Sequence, residues 1–311
     1  MKPRLLILNP LGEASLARIA ERFEVLYAAQ AGEREAAIAS HGDSIQAVLT
    51  IGTIGLSGEE IARLPRLGFI ATLGVGYERV DLDAARQRGI ALCNGAGSNA
   101  DCVADHAMAL LLAAIRDIRN LDVACRAGIW RDALPMQASV CGKRLGILGL
   151  GAIGDKLARR AAAFDMPVGY HNRSAKAGSP HRYFASALEL ADWCDCLVVA
   201  IPGGAATRYL VDADVLTALG PQGYLVNVAR GSVVDTRALA VALREKRIRA
   251  AALDVYESEP LPPSELLDLD NLILTPHVGG SSPQALEQSL SLFLDNIDRH
   301  FRGEPLLTPI G

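Results

Sequence analysis

An α/β protein built from two doubly wound parallel sheets is the fold this sequence predicts, and three observations carry the prediction. Short runs rich in aliphatic and β-branched residues alternate with helix-length segments, the pattern of parallel strands joined by crossovers rather than of hairpins. That alternation occurs twice, before and after a long apolar stretch at 99–117. At 311 residues the chain also exceeds the size at which one hydrophobic core usually keeps growing, so two domains are expected.

The first set of strands reads RLLILN at 4–9, FEVLYA at 23–28, AVLTI at 47–51, FIATLGV at 69–75 and IALCN at 90–94. The stretch that follows, NADCVADHAMALLLAAIRD, is apolar around most of a helical surface and must be buried, between two domains or two subunits, with Asn99 or Asp101 as its N-cap. A second set then reads RLGILGL at 144–150, MPVGYHN at 166–172, CLVVAIP at 196–202, GYLVNVA at 223–229, AALDVY at 251–256 and LILTP at 272–276. A last helix, from about Pro283 to Phe301, comes after this sheet is complete, so the chain is expected to return and pack on the first domain.

Composition narrows the function classes. A formal charge of −4 provides no basic field for a nucleic acid backbone. The opening MKPRLLILNP reads as a buried strand, too short to span a bilayer and without a small-residue cleavage site after it, so a cytoplasmic location is expected. Six scattered cysteines suit free thiols. The one close pair, Cys194 and Cys196, enters an apolar strand with no second ligand pair at metal spacing, so no metal site is expected.

The clearest motif lies in KRLGILGLGAIG, where an apolar strand runs into Gly149, Gly151 and Gly154 and a helical pattern follows. In that context G-x-G-x-x-G reads as a dinucleotide site. The first glycine allows a tight turn, the second lets backbone approach a pyrophosphate, and the third allows close helix–strand packing at a helix N-terminus that supplies amide donors. An NAD site normally places an acid about twenty residues later to hold the ribose 2′-hydroxyl. Here the position reads His171-Asn172-Arg173-Ser174, and a guanidinium and a hydroxyl suit a 2′-phosphate, so NADP is favoured.

Six segments, the glycine motif among them, in this order and spacing, make the chain resemble the D-isomer-specific 2-hydroxyacid dehydrogenases over essentially its whole length, especially the glyoxylate/hydroxypyruvate and hydroxyphenylpyruvate reductase branch. They are ATLGVGYERVD at 71–81, NADCVADHA at 99–107, GLGAIG at 149–154, NVARGSVVD at 227–235, LDVYESEP at 253–260 and TPHVGG at 275–280. The resemblance implies a Rossmann-type NADP-binding domain, residues 99–282, inserted in a flavodoxin-like substrate-binding domain, residues 1–98 and 283–311, with the active site in the cleft. It also implies a homodimer, with residues 101–118 and the region of Trp130 as its interface, and for Trp130 either a reach into the partner's site or a place in the core.

By the same resemblance Arg230, Glu259 and His277 form the catalytic set. Alone, each fits a surface charge, a loop acid or a turn residue as well. Their chemistry agrees with the assignment: a carboxylate keeps a histidine protonated as general acid, and a fixed planar cation orients a substrate carboxylate and polarises its carbonyl. The amides of Val75 and Gly76 are implied to receive the substrate carboxylate together with Arg230 and His277. Val103, Gly149, Gly151, Ala152, Ile153, Gly154, Asn172, Arg173, Ser174, Pro202, Thr207, Val228, Ala229, Arg230, Asp254, His277 and Gly279 are implied to line the cofactor, Asp254 by accepting from the nicotinamide carboxamide. Two departures stand out: PGGAAT at 202–207, which ends in Thr207, stands where a PLTPET-like run is usual, and Gly280 replaces a substrate-binding serine, with Ser281 adjacent.

The expected activity is therefore NADPH-dependent reduction of a small 2-oxo acid, glyoxylate, hydroxypyruvate or hydroxyphenylpyruvate, to the D-2-hydroxy acid. A sugar-acid reductase acting on 2-ketogluconate is the alternative within the class. A nucleotide-sensing binding protein, like the corepressors that resemble this family, is the alternative outside it.

Overall fold

The structure, a computed structural model, describes residues 2–310 except the side chain of Ala31. Two compact units divide the chain, one formed by Met1–Asn99 with Ser282–Gly311, the other by Ala100–Ser281.

In the first unit five parallel strands, Arg4–Ile7 (β1), Glu24–Tyr27 (β2), Ala47–Thr50 (β3), Phe69–Thr72 (β4) and Ala91–Asn94 (β5), lie in the order β2-β1-β3-β4-β5. This is the flavodoxin-like arrangement. Successive side chains alternate between two cores, as the period of a strand requires: Leu6, Val48 and Ile70 face one, Leu5, Leu49 and Phe69 the other. The second core is closed by Leu290, Phe293, Leu294 and Ile297 from the helix Pro283–Arg302. Ser282 caps that helix by accepting from Ala285 N at 3.0 Å, Pro283 stands where a missing N–H costs nothing, and Gly303 ends it at φ 72°.

The second unit has seven parallel strands: Leu145–Leu148 (β6), Val168–His171 (β7), Arg182–Tyr183 (β8), Cys196–Val199 (β9), Tyr224–Asn227 (β10), Ala250–Leu253 (β11) and Leu272–Leu274 (β12). Their order, β12-β11-β10-β9-β6-β7-β8, is the Rossmann order with one strand added beyond the sixth. β6 pairs with both β7 and β9, so the direction of winding reverses at β6, and the glycine motif leaves the sheet at that point. Sequence patterning misses β8, a two-residue edge strand with no apolar run of its own.

The apolar stretch differs from expectation in two ways, although its helix, Ala100–Ile115, ends where expected, just before Asp117 adopts φ 52° and a second helix, Ile118–Arg126, begins. The first is buried by its own unit, packing with Leu157, Ala158 and Ala161 of the helix Ala152–Ala162 and with Ile147, Val198 and Val226 of the sheet. Neither expected cap operates: Asn99 Oδ1 accepts no hydrogen bond, and Asp101 lies inside the first turn, paired with Lys156 and Arg160. Cys194 and Cys196 fill opposite faces of the sheet, where burial pushes both thiols up, Cys196 to about 12.

Candidate active site

Arg230, Glu259 and His277 follow the carboxyl ends of β10, β11 and β12, all within the second unit. Ligands of an open α/β sheet bind at that edge because only there do adjacent loops diverge.

His277 Nδ1 and Glu259 Oε2 share a hydrogen bond of 2.9 Å. The other oxygen of Glu259 accepts from Tyr256 N at 3.0 Å, so the carboxylate is held at both ends. The Glu259 hydrogen bond raises the His277 pKa above its ordinary value, against burial and the nearby Arg230 charge, which lower it. Burial pushes Glu259 up, but His277, the Tyr256 amide and Arg230 together bring its pKa below the usual carboxylate value. The two shifts agree in sign: the pair is most stable as imidazolium and carboxylate.

His277 adopts φ 54°, a strained conformation for a residue with a side chain. Its amide donates to Asp254 O at 2.8 Å, while the Asp254 carboxylate accepts from Val278 N at 2.9 Å, Gly279 N at 2.8 Å and Thr275 Oγ1 at 2.6 Å. Because Thr275 gives its only hydroxyl proton to Asp254, its contact with His106 Nε2 at 3.0 Å requires that nitrogen to be the donor. Asp254 is 2% exposed, and Oδ2 retains a second lone pair for the carboxamide foreseen by resemblance.

Arg230 is set by a turn that Asn227 organises. Asn227 Oδ1 accepts from Ala229 N at 3.0 Å, and its Nδ2 donates to Arg230 O at 3.0 Å. The guanidinium donates to Ala229 O at 2.6 Å, and the aliphatic stem packs so close to Gly203 that a Cβ there would lie 2.8 Å from Arg230 Cγ.

The three motif glycines meet three different environments. Gly149 has φ 102°, and a Cβ on it would meet Ala200 O at 2.7 Å. A Cβ on Gly154 would meet Gly149 O at 2.2 Å, whereas one on Gly151 would meet nothing within 4 Å. Two glycines thus serve the protein's own packing, and Gly151, with Ala152 and Ile153 beginning the helix behind it, faces open space of the kind a pyrophosphate needs. Leu150 N donates to Asn172 Oδ1 at 2.8 Å, which ties the glycine loop to the end of β7. Arg173 and Ser174, just beyond, are exposed, and no protein group among the described residues bonds their side chains.

The peripheral positions divide. Pro202 is exposed, and Thr207 donates inward to Pro202 O at 2.8 Å, closing the unusual PGGAAT loop on itself. Val103, Val228 and Ala229 are buried in the cores. Gly280 lies in the turn after Gly279, closed by Ser281 N donating to Val278 O at 2.8 Å. Trp130 is 69% exposed, which removes the core alternative, and Ile118, Val123, Ile129 and Met136 are exposed on the neighbouring segments.

In the first unit, the loops after β3 and β4 are joined by Arg79 N donating to Gly52 O at 3.2 Å and Leu56 N to Arg79 O at 3.1 Å. Val75 O accepts from Asn94 Nδ2 at 2.8 Å, which fixes the peptide, and among the described residues the amides of Val75 and Gly76 donate to no protein acceptor. Sequence reasoning left out His106, Thr275, Asn227 and Lys176. The signal for the first three is the polar residue at a strand end or in a buried helix, where an unpaired polar group would be costly.

Comparison with known proteins bears on this geometry. Residues 108–279 match the family described as D-isomer specific 2-hydroxyacid dehydrogenase, NAD binding domain. A glyoxylate/hydroxypyruvate reductase A of Arabidopsis thaliana is 36% identical over 307 residues, 98% of each chain. A 2-ketogluconate reductase of Gluconobacter oxydans is 38% identical over 310 residues, 99% of each chain. Among solved structures, an NADPH-dependent glyoxylate/hydroxypyruvate reductase of Sinorhizobium meliloti, in complex with NADP and malonate, superposes with a TM-score of 0.90 at 35% identity, covering 100% of this chain and 97% of that one.

Proposed function

The chain belongs to the D-isomer specific 2-hydroxyacid dehydrogenase family, and from that premise we propose that it uses NADPH to reduce a small 2-oxo acid, glyoxylate, hydroxypyruvate or hydroxyphenylpyruvate, to the D-2-hydroxy acid. The observation that carries the reading is the hydrogen bond between His277 and Glu259, which keeps a proton on a histidine beside a fixed arginine. When bound, the reduced nicotinamide supplies a hydride to the carbonyl carbon. As negative charge grows on the carbonyl oxygen, His277 delivers the proton and Arg230 stabilises the charge while gripping the substrate carboxylate. Glu259 acts through His277 by maintaining its charged form. In the reverse direction neutral His277 accepts the proton.

Within this reading the second unit is the cofactor domain, with Gly149, Gly151 and Gly154 at the pyrophosphate, Arg173 and Ser174 at the 2′-phosphate and Asp254 at the carboxamide. The first unit is the substrate domain, in which the amides of Val75 and Gly76, without a protein acceptor among the described residues, are the donors for a carboxylate. Exposed Ile118, Val123, Ile129, Trp130 and Met136 support a homodimer, whose test is the mass in solution by light scattering. A cytoplasmic location belongs to the same proposal; among the described residues no helix is long and apolar enough to cross a membrane.

Steady-state rates with glyoxylate, hydroxypyruvate, hydroxyphenylpyruvate and 2-ketogluconate, each with NADPH and NADH, test the activity. No turnover with any acid would overturn it, and cofactor binding without turnover would favour nucleotide sensing instead. A preference for 2-ketogluconate would select the second reading, favoured by the 38% identity to the Gluconobacter enzyme. Replacing the general acid, His277→Ala, should cost about 10²- to 10⁴-fold in turnover and leave NADPH affinity nearly unchanged.

A further inference from the structure

The loop after β7 carries a second cation besides Arg173. Lys176 lies three residues beyond Arg173, and its backbone N–H donates to the hydroxyl of Tyr170 at 2.8 Å. Tyr170 is a β7 residue, 1% exposed, so this position is anchored to the core rather than free on the surface. Lys176 Nζ approaches Leu150 O at 3.4 Å, inside the glycine motif, and pairs with the carboxylate of Asp155 in the first turn of the helix Ala152–Ala162. The Asn172–Leu150 hydrogen bond joins the same two segments at their other end. A positive charge is thus held between the glycine loop and the loop that bears Arg173.

An acid in the first turn of a helix is ordinarily favourable, because it faces the positive end of the helix dipole. At a helix that receives a diphosphate the same acid repels its ligand, and Lys176 cancels that charge. The ammonium is a compact charge on a four-carbon stem that can pivot, and a phosphate dianion attracts it more strongly than a carboxylate does.

We propose that Lys176 is a third ligand of the cofactor's 2′-phosphate, held ready by Asp155, and that it joins Arg173 in setting the preference for NADPH. The proposal rests on the NADPH reading above. With NADH there is no phosphate to draw the ammonium, so Lys176 stays on Asp155 and contributes nothing that separates the two cofactors. Discrimination comes from this difference, because only differential affinity can separate two ligands that share every other contact.

The test is binding rather than turnover: fluorescence titration of NADPH and NADH, and calorimetry with 2′,5′-ADP and 5′-ADP, on wild type, Lys176→Met, Lys176→Arg, Asp155→Asn and Arg173→Ala. Lys176→Met should weaken NADPH and 2′,5′-ADP about tenfold or more, as expected for loss of a hydrogen bond to a charged group, and leave NADH and 5′-ADP nearly unchanged. Lys176→Arg should keep the preference, and Asp155→Asn should tighten NADPH relative to NADH. Equal weakening of both cofactors by Lys176→Met would mean that Lys176 only neutralises Asp155, and would overturn the proposal, as would no change in either. If Arg173→Ala is selective for NADPH and Lys176→Met is not, the role of Lys176 fails alone. If wild type binds both cofactors equally and neither variant is selective, the NADPH reading fails and takes the proposal with it.

Discussion

Asp254 holds His277 by the main chain on both sides: its carbonyl accepts from His277 N at 2.8 Å, and its carboxylate accepts from the next two amides, Val278 and Gly279. A left-handed residue with a side chain persists only where its surroundings over-determine it, and three hydrogen bonds from one buried aspartate do so here. Asp254→Asn should therefore act on the turn. The amide has a single acceptor oxygen, so one backbone N–H loses its partner at a cost of about 1–3 kcal/mol. Thermal melting should show lower stability, and turnover should fall with it; unchanged melting with unchanged turnover would remove Asp254 from the support of His277.

Glu259→Gln tests the proton inventory. His277 is the protonated partner in reduction, and its pKa is raised chiefly by the Glu259 hydrogen bond, so reduction falls as pH rises through that raised value. Removing the carboxylate charge lowers the His277 pKa, and the alkaline limb of the kcat/KM profile should move to lower pH. A limb that stays in place would assign the titration to another group. The same shifts govern stability: the contribution of His277 is full below its unfolded pKa and lost as pH rises through the raised folded one, while that of Glu259 is full above its unfolded pKa and lost as pH falls through the lowered folded one. Denaturant midpoints across pH should show the pair's support fading at both ends.

Gly151→Ala and Gly154→Ala should separate ligand from fold. A methyl group on Gly151 meets nothing in the protein, so melting should be nearly unchanged while dinucleotide binding weakens. On Gly154 it meets the Gly149 carbonyl, and overpacking of this kind costs about 1–3 kcal/mol or more, so melting should fall before any cofactor is added. Equal melting losses would contradict the division of labour.

Arg173→Ala should raise the KM for NADPH about tenfold, the loss of one charge-assisted bond, and leave that for NADH almost unchanged. Equal effects on both cofactors would contradict a 2′-phosphate contact.

Much of this architecture was legible because parallel strands buried on both faces read as continuous apolar runs: among the described residues ten of the twelve strands fall within such runs, and β11 starts one residue before its own. β8 escaped because an edge strand of two residues needs no apolar run. The end of the apolar helix near Asp117 was legible, whereas the N-cap was not, because Asn99 and Asp101 are both capping residue types and only the fold decides what they bond. At the site, the histidine, glutamate and arginine announce themselves through motifs, whereas their supports do not. Thr275, His106 and Asn227 matter through hydrogen-bond geometry between segments far apart in sequence, which no local pattern encodes. Lys176 lies only a few residues from Arg173, but its significance depends on Asp155, which the fold alone brings to it.

The helix Pro283–Arg302 has a consequence for how the chain matures. It closes one core of the first unit with Leu290, Phe293, Leu294 and Ile297, and beyond it Ile310 N donates to Leu92 O at 2.9 Å. The second unit is contiguous from Ala100 to Ser281, so a ribosome delivers everything that unit needs before it makes the residues the first unit is waiting for. The part begun first is the part finished last. During synthesis the strands β1 to β5 must wait, with one apolar face uncovered, for a helix made nearly two hundred residues later, and chaperone binding to nascent chains should concentrate on that face.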